Sequence, residues 1–194
     1  MNTKRTGAGF TLFELMSALA IAGILTAISI PNLRTFLQNN RLTSAANDMM
    51  SSVQRARTEA VKRQTNVVVC ESPDPTAANP VCGAGLGWII FQDTNGNWTS
   101  DGVATEPVLE RHPVVDTSTL IRNDGNPVPV VAFTATGFVG APGPLTPSRN
   151  LVFCDSRGTH FARVVLISPT GRARASSLPA DVTSAMALVA GTCP

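Results

Sequence analysis

One stretch near the N-terminus limits what this chain can fold into. From Phe10 to Ile30 it contains a single charged residue, Glu14, and it is preceded by Lys4 and Arg5. As a helix rising about 1.5 Å per residue, such a run spans roughly 30 Å, enough to cross the hydrocarbon core of a bilayer. The two basic residues before it hold the N-terminus on the cytoplasmic side, so the rest of the chain is expected across the membrane. An ordinary secretory signal ends at a small-x-small cleavage site. Ala18, Ala20, Ala22 and Ala27 loosely supply one, but that reading gives no reason for Glu14. A carboxylate at the centre of a membrane helix costs about 2.5–3.5 kcal/mol and usually marks function.

Composition bounds the remainder. The chain has 194 residues, 43% of them hydrophobic, which leaves room after the apolar run for one globular domain of roughly 130 residues. There are 15 basic and 13 acidic residues. Removal of a leader holding Lys4 and Arg5 brings the two counts level, so bulk charge argues for no partner. The distribution is less even. Residues 71–124 hold Glu71, Asp74, Asp93, Asp101, Glu106, Glu110, Asp116 and Asp124 against Arg111 and Arg122. Residues 149–194 hold Arg149, Arg157, Arg163, Arg172 and Arg174 against Asp155 and Asp181. Every cation of that C-terminal part is an arginine, the side chain whose planar fork best matches phosphate.

The junction Gly9-Phe10-Thr11-Leu12-Phe13-Glu14 resembles the type III signal of type IV pilins and type II secretion pseudopilins. The resemblance implies that a prepilin peptidase cuts after Gly9 and N-methylates Phe10. It also implies that Glu14 pairs with the N-terminal amine of a neighbouring subunit. A buried carboxylate is tolerable when a cation meets it in the assembled filament. Pro31 falls at the family's usual helix-kinking position. On this reading residues 1–9 are the leader, 10–31 the membrane and assembly helix, 32–65 its periplasmic half, and 66–194 a β-rich head. The protein is then a single-pass inner-membrane protein with a periplasmic head, incorporated into a pilus or pseudopilus.

Past Pro31 the helix is expected to continue. Leu42, Ala46, Met49, Val53, Ala56 and Ala60 form one apolar stripe at helical period, with Arg41, Arg55, Arg57, Lys62 and Arg63 mostly off it. The helix should end near Gln64–Asn66. The period then changes: Asn66-Val67-Val68-Val69-Cys70 reads as a strand, as does Leu86-Gly87-Trp88-Ile89-Ile90-Phe91. Further short strands are expected near 105–111, 118–122, 129–133, 150–154 and 161–168, with a Pro/Gly-rich exposed loop at 140–148. A long helix followed by short antiparallel strands is an α+β architecture. The segments Ala56–Arg63, Val67–Cys70 and Gly87–Asp93 resemble the GspH/FimT branch of the pilin family, which implies a sandwich-like antiparallel head on the helix and a minor rather than a major subunit.

Cys70, Cys82, Cys154 and Cys193 form no Cys-x-x-Cys pair, and only His112 and His160 are available to join them, which argues against zinc. In an oxidising compartment disulfides are the default. Of three possible pairings, Cys70–Cys82 and Cys154–Cys193 are favoured: one closes a Pro/Ala-rich loop, the other pins the C-terminus to a strand. Asp93-Thr94-Asn95-Gly96-Asn97-Trp98-Thr99-Ser100-Asp101 looks faintly like a calcium loop. Its twelfth position is Ala104 rather than Glu, and an Asn/Gly turn is the simpler reading. No phosphate loop, Gly-x-Ser-x-Gly or nucleophile–base pair points to catalysis, and no cofactor or small-molecule substrate is implied.

The sharpest candidate chemistry lies near the C-terminus. Phe161–Ser168 reads as a strand and Ser168-Pro169-Thr170-Gly171 as a turn. Arg172-Ala173-Arg174-Ala175 would then return with both arginines on one face. Gly171-Arg172-Ala173-Arg174 resembles the Gly-Arg-x-Arg element of FimT-type minor pilins, which implies binding of double-stranded DNA for uptake in natural transformation. Arg149, Arg157, His160 and Arg163 are auxiliary cations. No aromatic residues interleave with the motif, so contact should follow the DNA backbone and weaken with salt. The alternatives are a structural role as the H-type pseudopilin of a type II secretion system or as a pilus-priming subunit, and a receptor role for the acidic 71–124 region. Partners on every reading are other pilins or pseudopilins, the prepilin peptidase and the inner membrane. Replacement of Glu14 by Ala is expected to leave membrane insertion intact and to lower incorporation into filaments, measured by fractionating sheared filaments from membranes; unchanged incorporation would contradict the pairing.

Overall fold

The computed structural model describes residues 9–83, 85, 87–113, 119–122, 131–140, 149–188 and 193. The chain divides into two compact units, residues 1–39 and 40–194. The helix α1 (Leu12–Arg63) begins in the first and ends in the second. In the first unit its start is a capping box. Thr11 precedes the helix, and its Oγ1 accepts from the Glu14 amide at 3.2 Å. Glu14 Oε2 accepts in return from the Thr11 amide at 3.1 Å. Glu14 thus has a local role in the cap, which the spacing Thr-x-x-Glu announces. From Leu12 to Phe36 every side chain of α1 is exposed, an apolar surface that requires lipid or other helices around it.

In the second unit α1 presents the stripe expected of it: Leu42, Ala46, Met49, Val53, Ala56 and Ala60 are buried, together with Ser52. The helix stops at Arg63. Gln64 takes a left-handed conformation at φ 55°, and the Thr65 amide donates back to the Ala60 carbonyl at 3.3 Å, the reversed hydrogen bond of a Schellman end.

Among the described residues nine strands follow: β1 (Asn66–Ser72), β2 (Gly87–Asp93), β3 (Val108–His112), β4 (Leu120–Arg122), β5 (Val131–Phe133), β6 (Val139–Gly140), β7 (Arg149–Cys154), β8 (Arg163–Ile167) and β9 (Ala173–Ser176). They form two antiparallel sheets, one in the order β3-β2-β1-β5-β6 and the other β4-β7-β8-β9. Val67, Val69, Trp88, Ile90, Val131 and Phe133 of the first sheet meet the α1 stripe in one core with Leu151, Phe153, Val165 and Ile167 of the second. The indole Nε1 of Trp88 donates to Ser52 Oγ at 2.9 Å, satisfying the polar residue within the stripe.

The opposite faces are covered as well. Val68, Cys70, Ile89, Phe91 and Ala132 form a separate cluster against Cys82, Trp98 and Val108. Val152, Cys154, Ala162 and Val164 pack against Val182 and Ala185 of a second helix, α2 (Pro179–Met186). Strands buried on both faces need apolar side chains at consecutive positions. This is why β1, β2 and β7 read as unbroken apolar runs.

Two local readings differ from expectation. The segment expected as a strand from Phe161 starts with a 3-10 turn at Thr159–Phe161, and β8 begins at Arg163. The second helix was not anticipated, although Pro179 at its first position and Asp181 in its first turn are ordinary start signals. The expected loop at 140–148 lies, beyond Gly140, outside the described residues. Cys70 is bonded to Cys82 and Cys154 to Cys193. The second bridge returns the chain beyond α2 to β7 and closes a long loop, which restricts the unfolded ensemble. Because Met49 is completely buried between helix and sheets, its replacement by Ala is expected to cost about 2–5 kcal/mol in denaturant unfolding. A loss below 1 kcal/mol would mean that this core relaxes around the cavity.

Candidate nucleic-acid interface

The C-terminal hairpin is built on one glycine. After β8 the Gly171 amide donates to the Ser168 carbonyl at 2.8 Å, and the Ser168 amide to the Arg172 carbonyl at 2.9 Å. Pro169-Thr170-Gly171 is therefore a three-residue hairpin loop with its last residue left-handed, at φ 78°. Gly171 is buried. A Cβ at this position would lie 2.7 Å from the Gly137 carbonyl oxygen and 2.9 Å from Arg57 Nε, so sterics as well as backbone conformation require glycine. A second turn abuts the first. The Val139 amide donates to the Pro169 carbonyl at 3.1 Å, and Arg57 Nε of α1 donates to the Gly137 carbonyl at 3.0 Å.

This arrangement sorts the arginines. Arg172 follows the turn, is exposed, and has no acidic partner among the described residues. Arg174 lies within β9 opposite Leu166, on the sheet face that carries α2. It makes a two-pronged pair with Asp181 of that helix, Nη1 to Oδ2 at 2.9 Å and Nη2 to Oδ1 at 3.1 Å. Those hydrogen bonds hold the Asp181 carboxyl below its ordinary range. The Gly-Arg-x-Arg element thus presents one arginine to solvent without a counter-charge and one already engaged. The signal that would have revealed the engagement is the start of α2.

The auxiliary cations are mostly committed elsewhere. Arg157 pairs with the buried Asp155 at 2.7 Å and lies over the Phe161 ring, 4.3 Å from its centroid. Arg163 donates to the Phe161 and Ala162 carbonyls and to Thr43 of α1. His160 is exposed and meets Phe161 edge-on. Arg149 begins β7, and its side chain lies outside the described residues. Gly9 and Phe10 are exposed ahead of α1.

The Asp93–Asp101 segment closes on donors of its own. Asp93 accepts from the Gly96 and Trp98 amides, and Asp101 from the side-chain amides of Asn95 and Asn97, each at 2.7 Å. Among the described residues no group of three acidic, imidazole or thiol side chains is placed to hold a metal ion. Glu106, fully buried, accepts from the Asp101 amide at 2.8 Å. Its other oxygen has no donor. Burial pushes its carboxyl above the ordinary range, and the nearby Asp93 and Asp101 carboxylates add to this.

Residues 45–171 match the family described as Type II transport protein GspH, and residues 4–30 the prokaryotic N-terminal methylation motif. The chain belongs to the GspH family. The methylation motif and the apolar first half of α1 make it a pilin-like subunit anchored in the inner membrane. It is 35% identical over 94 residues to the pilin-like protein PilA1 of Thermus thermophilus, covering 47% of this chain and 52% of that protein. It is 35% identical over 68 residues to a fimbrial protein of Pseudomonas aeruginosa, covering 35% of this chain and 44% of that one. The chain spans about half the length of the curated relatives it matches. A crystal structure of the Pseudomonas aeruginosa type IV minor pilin FimU aligns with 82% of this chain and 99% of its own, at 21% identity and a TM-score of 0.52. A second crystal form aligns at 22% identity and 0.51, covering 79% and 100%. That likeness shows the fold: a long N-terminal helix packed on antiparallel sheets, as in type IV minor pilins.

Glu106 yields a test of the acidic loop. Its proton affinity is raised by folding, so its stabilising contribution is present at low pH and lost as pH rises through the raised value. The isosteric Glu106→Gln keeps a donor where the protonated acid has one. The melting temperature of the wild type is expected to fall more steeply than the variant's as pH rises above the ordinary carboxylate range. Parallel profiles would show that Glu106 is ionised throughout.

Proposed function

We propose that this chain is a minor subunit of a pilus or pseudopilus and that its C-terminal hairpin contacts double-stranded DNA during uptake in natural transformation. The observation that carries the reading is Arg172: an exposed guanidinium without an acidic partner among the described residues, beside a turn held by main-chain hydrogen bonds and a buried glycine. A fork so placed is suited to a phosphate. Contacts of this kind position the duplex without reading its sequence, and each one lost lowers the salt dependence of binding by about one unit of slope. Gly171 shapes the turn, and Arg174 contributes once Asp181 gives way. At the other end, prepilin peptidase cuts after Gly9 and methylates Phe10. Glu14 then exchanges its capping role for the N-terminal amine of a neighbouring subunit, and other pilins or pseudopilins surround the helix.

The Arg174–Asp181 pair favours a second reading, in which the hairpin is a solubilised sheet edge and the protein is a structural H-type pseudopilin or a pilus-priming subunit. Titration of duplex DNA into the detergent-solubilised full chain at two salt concentrations separates the two. The DNA reading expects binding that weakens with salt and drops sharply in the Arg172→Ala/Arg174→Ala double variant, with Arg172→Ala alone losing more than Arg174→Ala alone. Absence of wild-type binding at low salt would sink it.

A further inference from the structure

We infer that Asp181 of α2 is a built-in competitor for phosphate at Arg174, its carboxylate occupying the fork that a phosphodiester group would otherwise take; this rests on the DNA-binding reading of the hairpin. In residues 149–194 only Asp155 and Asp181 carry a side-chain carboxylate, against five arginines. Asp155 is buried and paired with Arg157. Asp181 is the acid of this stretch that reaches solvent, and it sits on an arginine of the Gly-Arg-x-Arg element.

The geometry is that of an anion clasp. Nη1 and Nη2 of Arg174 each donate to a different oxygen of Asp181, at 2.9 and 3.1 Å. Two oxygens of a phosphodiester accept from a guanidinium in the same two-pronged way, so carboxylate and phosphate compete for one set of donors. Arg174 lies opposite Leu166, on the face that packs against α2. The hydrogen bond from the Ser168 amide to the Arg172 carbonyl continues the β8–β9 pairing toward the turn, and alternation puts Arg172 on that same outer face. A duplex laid across it meets one open fork, Arg172, and one closed fork, Arg174.

The closure is reversible. The Arg174 and Asp181 side chains are 60% and 22% exposed, and ion pairs so open to water are weak. The helix itself need not move. Val182 and Ala185 are buried against Val152, Cys154, Ala162 and Val164, and the chain beyond α2 is bonded back to β7 through Cys154 and Cys193. Rotation of the Asp181 side chain alone frees the fork. Without a duplex, Asp181 neutralises one of two cations that share a face and would otherwise repel. With a duplex, it sets how much of the hairpin's charge reaches the DNA.

The test uses the full chain in detergent and two probes, a short DNA duplex and inorganic phosphate. Asp181→Asn keeps the shape of the side chain and removes its charge. It should bind duplex about two- to fivefold tighter than the wild type at low salt, with a salt slope steeper by about one. Arg174→Gln should cost more affinity in the Asp181→Asn background than in the wild type, a coupling that a simple change of net charge does not produce. Inorganic phosphate should shift the guanidinium resonances of Arg174 at about two- to fivefold lower concentration in Asp181→Asn than in the wild type. Asp181→Ser also removes the charge and should match Asp181→Asn; a gain in only one of the two would trace the effect to the packing of α2 and overturn the competition. Wild-type affinity and slope in Asp181→Asn would overturn it and leave the DNA reading standing. Equal losses from Arg174→Gln in both backgrounds would overturn it as well, reducing Asp181 to a contribution to net charge. The shifted phosphate response without duplex binding would support the competition and remove the DNA reading.

Discussion

The stripe that α1 turns toward the strands holds the globular unit together. Leu42, Ala46, Met49, Val53, Ala56 and Ala60 contribute to one core with residues of both sheets, and no strand contact replaces what the helix supplies. Leu42, Met49 and Val53 supply the bulk of the stripe, and Ala46, Ala56 and Ala60 complete it, all of them buried. Ser52 is the one polar interruption, and it is satisfied by Trp88, whose ring in turn stacks on His112 at 4.0 Å. Every other feature of the head is attached to this arrangement: strands buried on both faces, a second helix on the outer face, and a hairpin whose tip rests on Arg57.

The same helix carries two solvents' worth of chemistry along its length. Its first half is apolar on all sides, as a segment among lipids or other helices must be. Its second half is amphipathic, as a helix laid on a core must be. The capping box between Thr11 and Glu14 satisfies the carboxylate in the separate subunit, where a bare charge on an apolar helix end would be costly.

Much of this was legible in the chain itself. The helical period of the stripe, the change to β-branched runs at Asn66 and Gly87, and the Pro-Thr-Gly turn before Arg172 are local patterns, and local patterns survive in a linear reading. A linear pattern leaves open which arginines are engaged, because that depends on side-chain geometry even where the partner is only a few residues away. Arg172 and Arg174 look alike as neighbours on a strand, yet one is exposed and the other is held by Asp181, seven residues on and in a helix that short Ala- and Ser-containing segments announce weakly. Arg157 and Arg163 counted as surface cations until packing placed a carboxylate and carbonyl groups against them.

By itself, then, the sequence determined the membrane segment, the methylation motif, the α+β order of elements and the family to which the chain belongs, because each is written in contiguous residues or in a fixed period. Only the tertiary structure decided which charges remain to act. Neutralisation of an arginine depends on what the fold brings within about 3 Å of its guanidinium. Arg57 of α1 meets the Gly137 carbonyl beside Gly171 only because the hairpin settled on the helix through a glycine that has no side chain to keep them apart.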